Sequence, residues 1–177
     1  MQPEIVLASR RIYEGRVVNL RVDDVRTPGG METQREIVEH RGAVALVAID
    51  DGERVLLVSQ YRHALGRVTT EIPAGTLESG EDPVACAARE LAEETGYSAA
   101  RFERLGGIHP SPGFCTEYIH LFAATGLTRG EAQPEADEQI AVQALPWAEA
   151  MRRVRAGEMQ DAKSVSALLL ADARRRA

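Results

Sequence analysis

The sequence predicts an α/β protein built as one domain over residues 1–177. Three observations carry this expectation. The first forty residues hold short runs of β-branched residues with partial alternation, the pattern of antiparallel strands. Ala43–Ile49 is a continuous apolar run, which reads as a buried strand. Two helical stretches follow: Val84–Thr95 has neither Gly nor Pro, and Asp161–Arg175 is amphipathic.

Composition narrows the function classes. A chain of 177 residues has the length for one domain with a real core. Apolar residues make up 44% and charged residues 27%, the balance of a soluble globular protein. The net charge of −6 argues against a nucleic-acid duplex as partner. The terminal Arg174-Arg175-Arg176 reads instead as a solvated helix end that complements the helix dipole. Cys86 and Cys115 are too few for a secreted disulfide scaffold and read as reduced packing residues. The opening residues MQPEIVLASRR lack the apolar run of a signal peptide, and no stretch approaches the length of a membrane span. A cytoplasmic location without a membrane partner is therefore expected.

In chain order, Glu4–Leu7, Arg11–Glu14, Val17–Arg26 and Glu32–His40 read as strands, the last two joined by the turn Thr27-Pro28-Gly29-Gly30. Such strands expose edges if left unpaired. Ala43–Ile49 and Val55–Gln60 flank the turn Asp50-Asp51-Gly52, so a hairpin is expected. Gly75 and Gly80 mark a loop. Pro83 suits the first helical position because its missing N–H costs nothing there. Gly96 stops the helix. Val84, Ala88, Leu91 and Thr95 form a stripe fit to pack on a core. Strands are expected at Arg101–Ile108, Glu117–Ala124 and Ile140–Leu145, with a polar acidic loop at Thr128–Gln139. Pro146–Arg155 fits a helix whose Trp147 packs in the core. The final helix should bury Val165 and Leu168–Leu170. None of His40, His63, His109 and His120 has metal-ligand spacing.

The chemistry concentrates on the helix after Gly75. At roughly 100° per residue, Glu90, Glu93 and Glu94 fall within about one third of its circumference. Carboxylates so crowded repel each other, so neutralising one should stabilise the metal-free protein. A hard divalent cation would compensate them, since such ions prefer carboxylate oxygens. The alternative is a solvated acidic face.

Spacing decides between the two. Gly75, five residues, Glu81, seven residues, Arg89-Glu90-Leu91, one residue, Glu93-Glu94, one residue, Gly96 and Tyr97: this resembles the complete signature of the Nudix hydrolase family. Seven fixed positions, at roughly one in fifteen each, match by chance on the order of once in 10⁸ starting points. Tyr97 stands where the family more often has an aliphatic residue, a packing position. Glu71-Ile72-Pro73-Ala74-Gly75 before the signature, and Ser111-Pro112-Gly113-Phe114 about fifteen residues after it, resemble the ADP-ribose pyrophosphatase branch.

The resemblance covers about Val38 to Leu145 and implies a mixed central sheet sandwiched between helices, with an N-terminal antiparallel extension. It implies Mg²⁺-dependent hydrolysis of ADP-ribose to AMP and ribose 5-phosphate, with Mn²⁺ as a substitute ion. By the same resemblance Glu90 and Glu94 are the main metal carboxylates, Glu93 contributes, and the Ala74 carbonyl adds a backbone ligand. Arg89 and Glu81 form a structural ion pair. Arg62 holds substrate near the phosphates, and Glu71 touches the terminal ribose or a metal. Gly113 and Phe114 lie at the substrate; core packing is the alternative for Phe114. The general base is a glutamate on a loop before the last core strand, with Glu138 the best positional match, Glu135 second and Asp137 third; failing these, a signature glutamate such as Glu93 serves. Residues 1–40 are expected to pair across a homodimer and help form the partner's adenine site, leaving 41–177 as the catalytic core. Three alternatives stay open: another nucleoside diphosphate sugar or a dinucleotide as substrate, an isomerase of prenyl diphosphates, and a non-catalytic nucleotide-sensing module. The intact signature stands against the last two.

Overall fold

The structure, a computed structural model, describes residues 2–130 and 139–176. The chain divides into two compact units, Met1–Gly42 with His109–Tyr118, and Ala43–Ile108 with Ile119–Ala177.

The first unit is an antiparallel sheet of β1 (Ile5–Glu14), β2 (Asn19–Arg26) and β3 (Glu32–Glu39), in that order. The β2–β3 turn falls at Thr27–Gly30 as expected. Gly30 donates to the Thr27 carbonyl at 2.9 Å with φ of +88°, a conformation that favours glycine. Glu4–Leu7 and Arg11–Glu14 are not separate strands but parts of one. Register irregularities at Val6/Ala8 and Arg11/Tyr13 absorb the breaks in alternation as bulges. β1 is exposed along its whole length, whereas β2 buries Val22, Asp23 and Val25. Ser9 Oγ donates to the Asp23 carboxylate at 2.6 Å and Arg21 Nε at 3.1 Å. The Ser9 bond is the main reason its pKa lies below the usual carboxylate value. Residues 109–118 join this sheet through β3: Val38 N–H donates to the Phe114 carbonyl at 2.8 Å and Thr116 N–H to the Val38 carbonyl at 2.9 Å.

The second unit runs β4 (Ala43–Ala48), β5 (Arg54–Arg62), β6 (Arg67–Glu71), β7 (Ala74–Thr76), α1 (Pro83–Thr95), β8 (Tyr97–Ile108), β9 (Ile119–Arg129), β10 (Ala141–Pro146), α2 (Trp147–Arg155) and α3 (Ala162–Arg175). One sheet has the order β7-β4-β9-β8, with β4 and β9 parallel; the other is the antiparallel set β10-β5-β6. β4 is buried from end to end, as its apolar run requires. Its alternate residues face two cores. Ala43, Ala45 and Val47 pack in one cluster with Ala167, Leu168 and Ala171 of α3. Val44, Leu46 and Ala48 pack in the other with Cys86, Ala87 and Leu91 of α1. This is the α/β arrangement expected: a mixed sheet between helices. Cys86 and Cys115 are both free thiols.

Three local expectations are corrected, and β6 is a strand that the sequence did not announce. β4 and β5 form no hairpin; they enter different sheets and share one isolated bridge, Ile49 with Val55. β7 and β9 take the two edges of β4, which leaves none for β5. β6, RVTTE, escapes a hydrophobicity reading because its partner β5 supplies the order through a backbone ladder. On α1 the buried residues are Cys86, Ala87, Leu91, Glu94 and Thr95, while Val84 is 43% exposed and Ala88 is exposed. The buried stripe is thus rotated toward the glutamates, because they approach β7. On α3 the inward face is Ser164, Ala167, Leu168 and Ala171, a helical i, i+3, i+4, i+7 set, which leaves Leu169 and Leu170 outside.

Candidate active site

α1 starts where capping chemistry dictates. The Asp82 carboxylate accepts from Val84 N–H at 2.9 Å and Ala85 N–H at 3.1 Å, with Pro83 at the first helical position. It ends at Gly96, whose φ of +75° lets its N–H reach the Ala92 carbonyl. These two ends fix which way the glutamates point.

β7 crosses α1 at Gly75. A Cβ there would lie inside the Glu90 carboxylate, so only glycine allows Glu90 to sit against this backbone. One residue earlier, Ala74 N–H donates to Glu94 Oε2 at 3.0 Å, and Glu94 is 4% exposed. Arg89 gathers the remaining carboxylates. Its Nε and Nη2 donate to both oxygens of Glu81, at 3.0 and 3.1 Å, in the expected ion pair. Its Nη1 donates to Glu90 Oε1 at 2.8 Å and Glu93 Oε2 at 2.9 Å. The Arg89 hydrogen bonds, then the Glu78 N–H, bring the Glu81 pKa down to about 2. Burial and then the Glu81 carboxylate push the Cys86 thiol up to about 12, an inert packing residue.

Arg89 thus supplies a cation to the acidic helix from within the helix itself. Among the described residues, no three or more His, Cys, Asp and Glu side chains gather closely enough to hold a metal ion. By donor type the residues fit a hard divalent cation all the same. Glu90, Glu93, Glu94 and the Ala74 carbonyl are all oxygen donors, and Gly75 clears the space beside Glu90.

A second cluster lies on β5, β6 and α3. Arg62 donates to Glu71 in a two-pronged bond, Nε to Oε1 at 2.9 Å and Nη2 to Oε2 at 2.6 Å. Thr69 Oγ1 donates to Oε1 and Lys163 Nζ to Oε2, each at 2.5 Å. Glu71 is 3% exposed. Burial would raise its pKa, but Arg62 and Lys163 outweigh burial and hold it at about 2. A cavity of about 550 Å³ opens beside Glu71, lined also by Arg67, Arg153 and Gln160. Lys163 and Thr69 were missed in the sequence. Lys163 meets Glu71 across 92 positions, and no local spacing signals such a pair.

The second unit therefore sets Glu94 against Ala74 N–H and Glu90 beside Gly75, joins Glu90 and Glu93 through Arg89, and separately pairs Arg62 with Glu71. Gly113 and Phe114 belong to the first unit, where Phe114 is 57% exposed rather than core-packed. Glu135, Asp137 and Glu138 lie outside the described residues.

A mixed sheet held between helices, with a glycine-braced glutamate helix at its edge, defines a Nudix hydrolase. The chain belongs to this family: residues 39–168 match the NUDIX domain. Residues 4–38 match the nucleoside diphosphate sugar hydrolase N-terminal domain. Members of the Nudix family generally depend on a divalent metal. The chain is 44% identical over 167 residues to the methanol dehydrogenase activator of Bacillus methanolicus, covering 93% of this chain and 90% of that protein. It is 41% identical over 167 residues to the ADP-ribose pyrophosphatase of Bacillus subtilis (strain 168), with the same coverage of 93% and 90%. A crystal structure of an ADP compounds hydrolase superposes with a TM-score of 0.86 at 22% identity, covering 97% of this chain and 94% of that one, a likeness of fold. Among the described residues no helix is long and apolar enough to cross a membrane.

Proposed function

We propose that the protein hydrolyses the diphosphate of ADP-ribose to AMP and ribose 5-phosphate, with Mg²⁺ as its ion. The observation that carries this is the 41% identity with an ADP-ribose pyrophosphatase along nearly the whole of both chains. Glu90, Glu94, Glu93 and the Ala74 carbonyl would hold Mg²⁺. When bound, Mg²⁺ supplies charge neutralisation for the diphosphate and Lewis acidity at phosphorus. Arg62 binds the phosphates through the N–H groups that Glu71 does not use. Gly113 and Phe114 contact the nucleoside. Glu138 takes the proton of the attacking water, with Glu135 next in order.

Residues 1–40 serve homodimerisation and residues 41–177 catalysis, and the protein works in the cytoplasm. The test is a hydrolysis panel with Mg²⁺ and Mn²⁺ over ADP-ribose, other nucleoside diphosphate sugars, NADH and diadenosine polyphosphates. ADP-ribose is expected to give the highest kcat/KM; a tenfold preference for another member would overturn the substrate but not the reaction class. The 44% identity to a dehydrogenase activator favours a second reading, action on a partner enzyme. Stimulation of a dehydrogenase without turnover anywhere in the panel would favour it.

A further inference from the structure

The Glu71 carboxylate is full. An ionised carboxylate offers about four acceptor positions. Here Oε1 takes Arg62 Nε and Thr69 Oγ1, and Oε2 takes Arg62 Nη2 and Lys163 Nζ. Its work is therefore to aim Arg62, whose two bonds to Glu71 occupy two of five N–H groups and leave three to point elsewhere.

Lys163 closes this arrangement from α3. Its side chain is 12% exposed, and it also pairs with Asp161 at 2.9 Å. Arg62, Glu71, Lys163 and Asp161 form a chain of two cations and two anions with no net charge. The neighbouring residue ties the same segments again: Ile72 N–H donates to Ser164 Oγ at 2.9 Å, and Ser164 Oγ donates to Asp161 Oδ2 at 2.5 Å. The first turn of α3 thus grips the chain at Glu71 and Ile72, just before the signature loop. The Glu71 hydrogen bonds chiefly, with smaller contributions from the charges of Glu94 and Asp161, raise the Arg62 pKa against its burial, so Arg62 also feels the charge of the signature helix.

We propose that Lys163 is a positioning residue for substrate binding: through Glu71 it fixes the direction in which Arg62 presents its remaining N–H groups to the diphosphate. This rests on the reading of Arg62 as the phosphate-binding arginine. Without the Lys163 charge, Asp161 and Glu71 both compete for Arg62, and one uncompensated negative charge faces the anionic substrate.

The test uses the full chain with Mg²⁺ for kinetics, and with chelator for calorimetric binding of ADP-ribose. Lys163→Met should raise KM and Kd about tenfold, the loss of one charge-assisted hydrogen bond, with kcat within about twofold of wild type. Lys163→Arg should recover most of the affinity. In a double-mutant cycle Lys163→Met should add little to Arg62→Ala, because it acts through that arginine. Unchanged KM and Kd in Lys163→Met, or full additivity with Arg62→Ala, would overturn the proposal and leave ADP-ribose hydrolysis standing. Wild type that binds ADP-ribose without hydrolysing it would overturn the hydrolysis instead, and the binding arm would still judge Lys163. Wild type that does neither removes both.

Discussion

At the residue scale, the signature carboxylates differ in how they are held, and that separates their expected phenotypes. Glu90→Gln and Glu94→Gln should each reduce turnover by orders of magnitude with the fold intact by circular dichroism; near-normal turnover of both at low Mg²⁺ would remove them as ligands. Like-charge crowding alone predicts that neutralising a glutamate stabilises the metal-free protein. Arg89 cancels that gain, since Glu90 and Glu93 each already hold its Nη1. The melting temperature of Glu90→Gln in chelator is therefore expected to be no higher than wild type. The base is a separate matter. Glu138→Gln should lower kcat by about 10²–10⁴-fold with far smaller effects on metal and substrate affinity. Wild-type kcat in Glu138→Gln together with loss in Glu135→Gln would move the role to Glu135. The residue types of the site were legible because the spacing Glu90, Glu93, Glu94 is local to one helix. The cation that meets them was legible only in part: Glu81 was paired with Arg89 from the sequence, but the bonds to Glu90 and Glu93 were not foreseen.

At the scale of elements, two contacts between segments decide the geometry. The first is β7 against α1 at Gly75. Gly75→Ala forces the Glu90 carboxylate out of place, and that carboxylate ends a flexible side chain, so the fold adapts. Turnover should drop on the order of 10²-fold, as for a small misplacement of a reacting group, with little change in melting temperature; normal kcat would show that Glu90 need not sit there. The second contact is α3 against β6 through Glu71. Its carboxyl pKa is held at about 2 against an ordinary 4.5. A lowered folded-state pKa gives stability that is full above the unfolded value and is lost as pH falls through the folded one. Stability should therefore decline between about pH 4.5 and pH 2, and that decline should flatten in Glu71→Gln, as read by denaturant midpoints across this range. An equally steep acid limb in the variant would assign it to other carboxylates.

At the scale of the whole molecule, β1 is an edge strand that exposes Ile5, Val6, Leu7, Ile12 and Tyr13, with Ile5 at 60% and Tyr13 at 59%. A long edge with apolar side chains is a ready template for pairing with another chain. Light scattering is expected to give a homodimer at micromolar concentration. A fully active monomer would refute the role given to residues 1–40.

The sequence by itself determined the acidic helix, its start and stop, the buried strand β4, and the family. Each follows from patterns a few residues long: 3.6-residue periodicity, Pro83 at the first helical position and Gly96 after the helix, and fixed spacing of charged positions. The tertiary structure alone decided which strands share a sheet. β4 leaves its sequence neighbour β5, because β7 and β9 occupy both of its hydrogen-bonding edges. It alone turned α1 so that Glu94 rather than Val84 is buried, since Ala74 N–H and Gly75 receive that side. It alone brought Lys163 to Glu71 and Ser164 to Ile72 across 92 positions. Local patterns fix backbone conformation through sterics and hydrogen bonds within a few residues. The pairing of distant charges is fixed by packing, which places buried groups where each must find a partner.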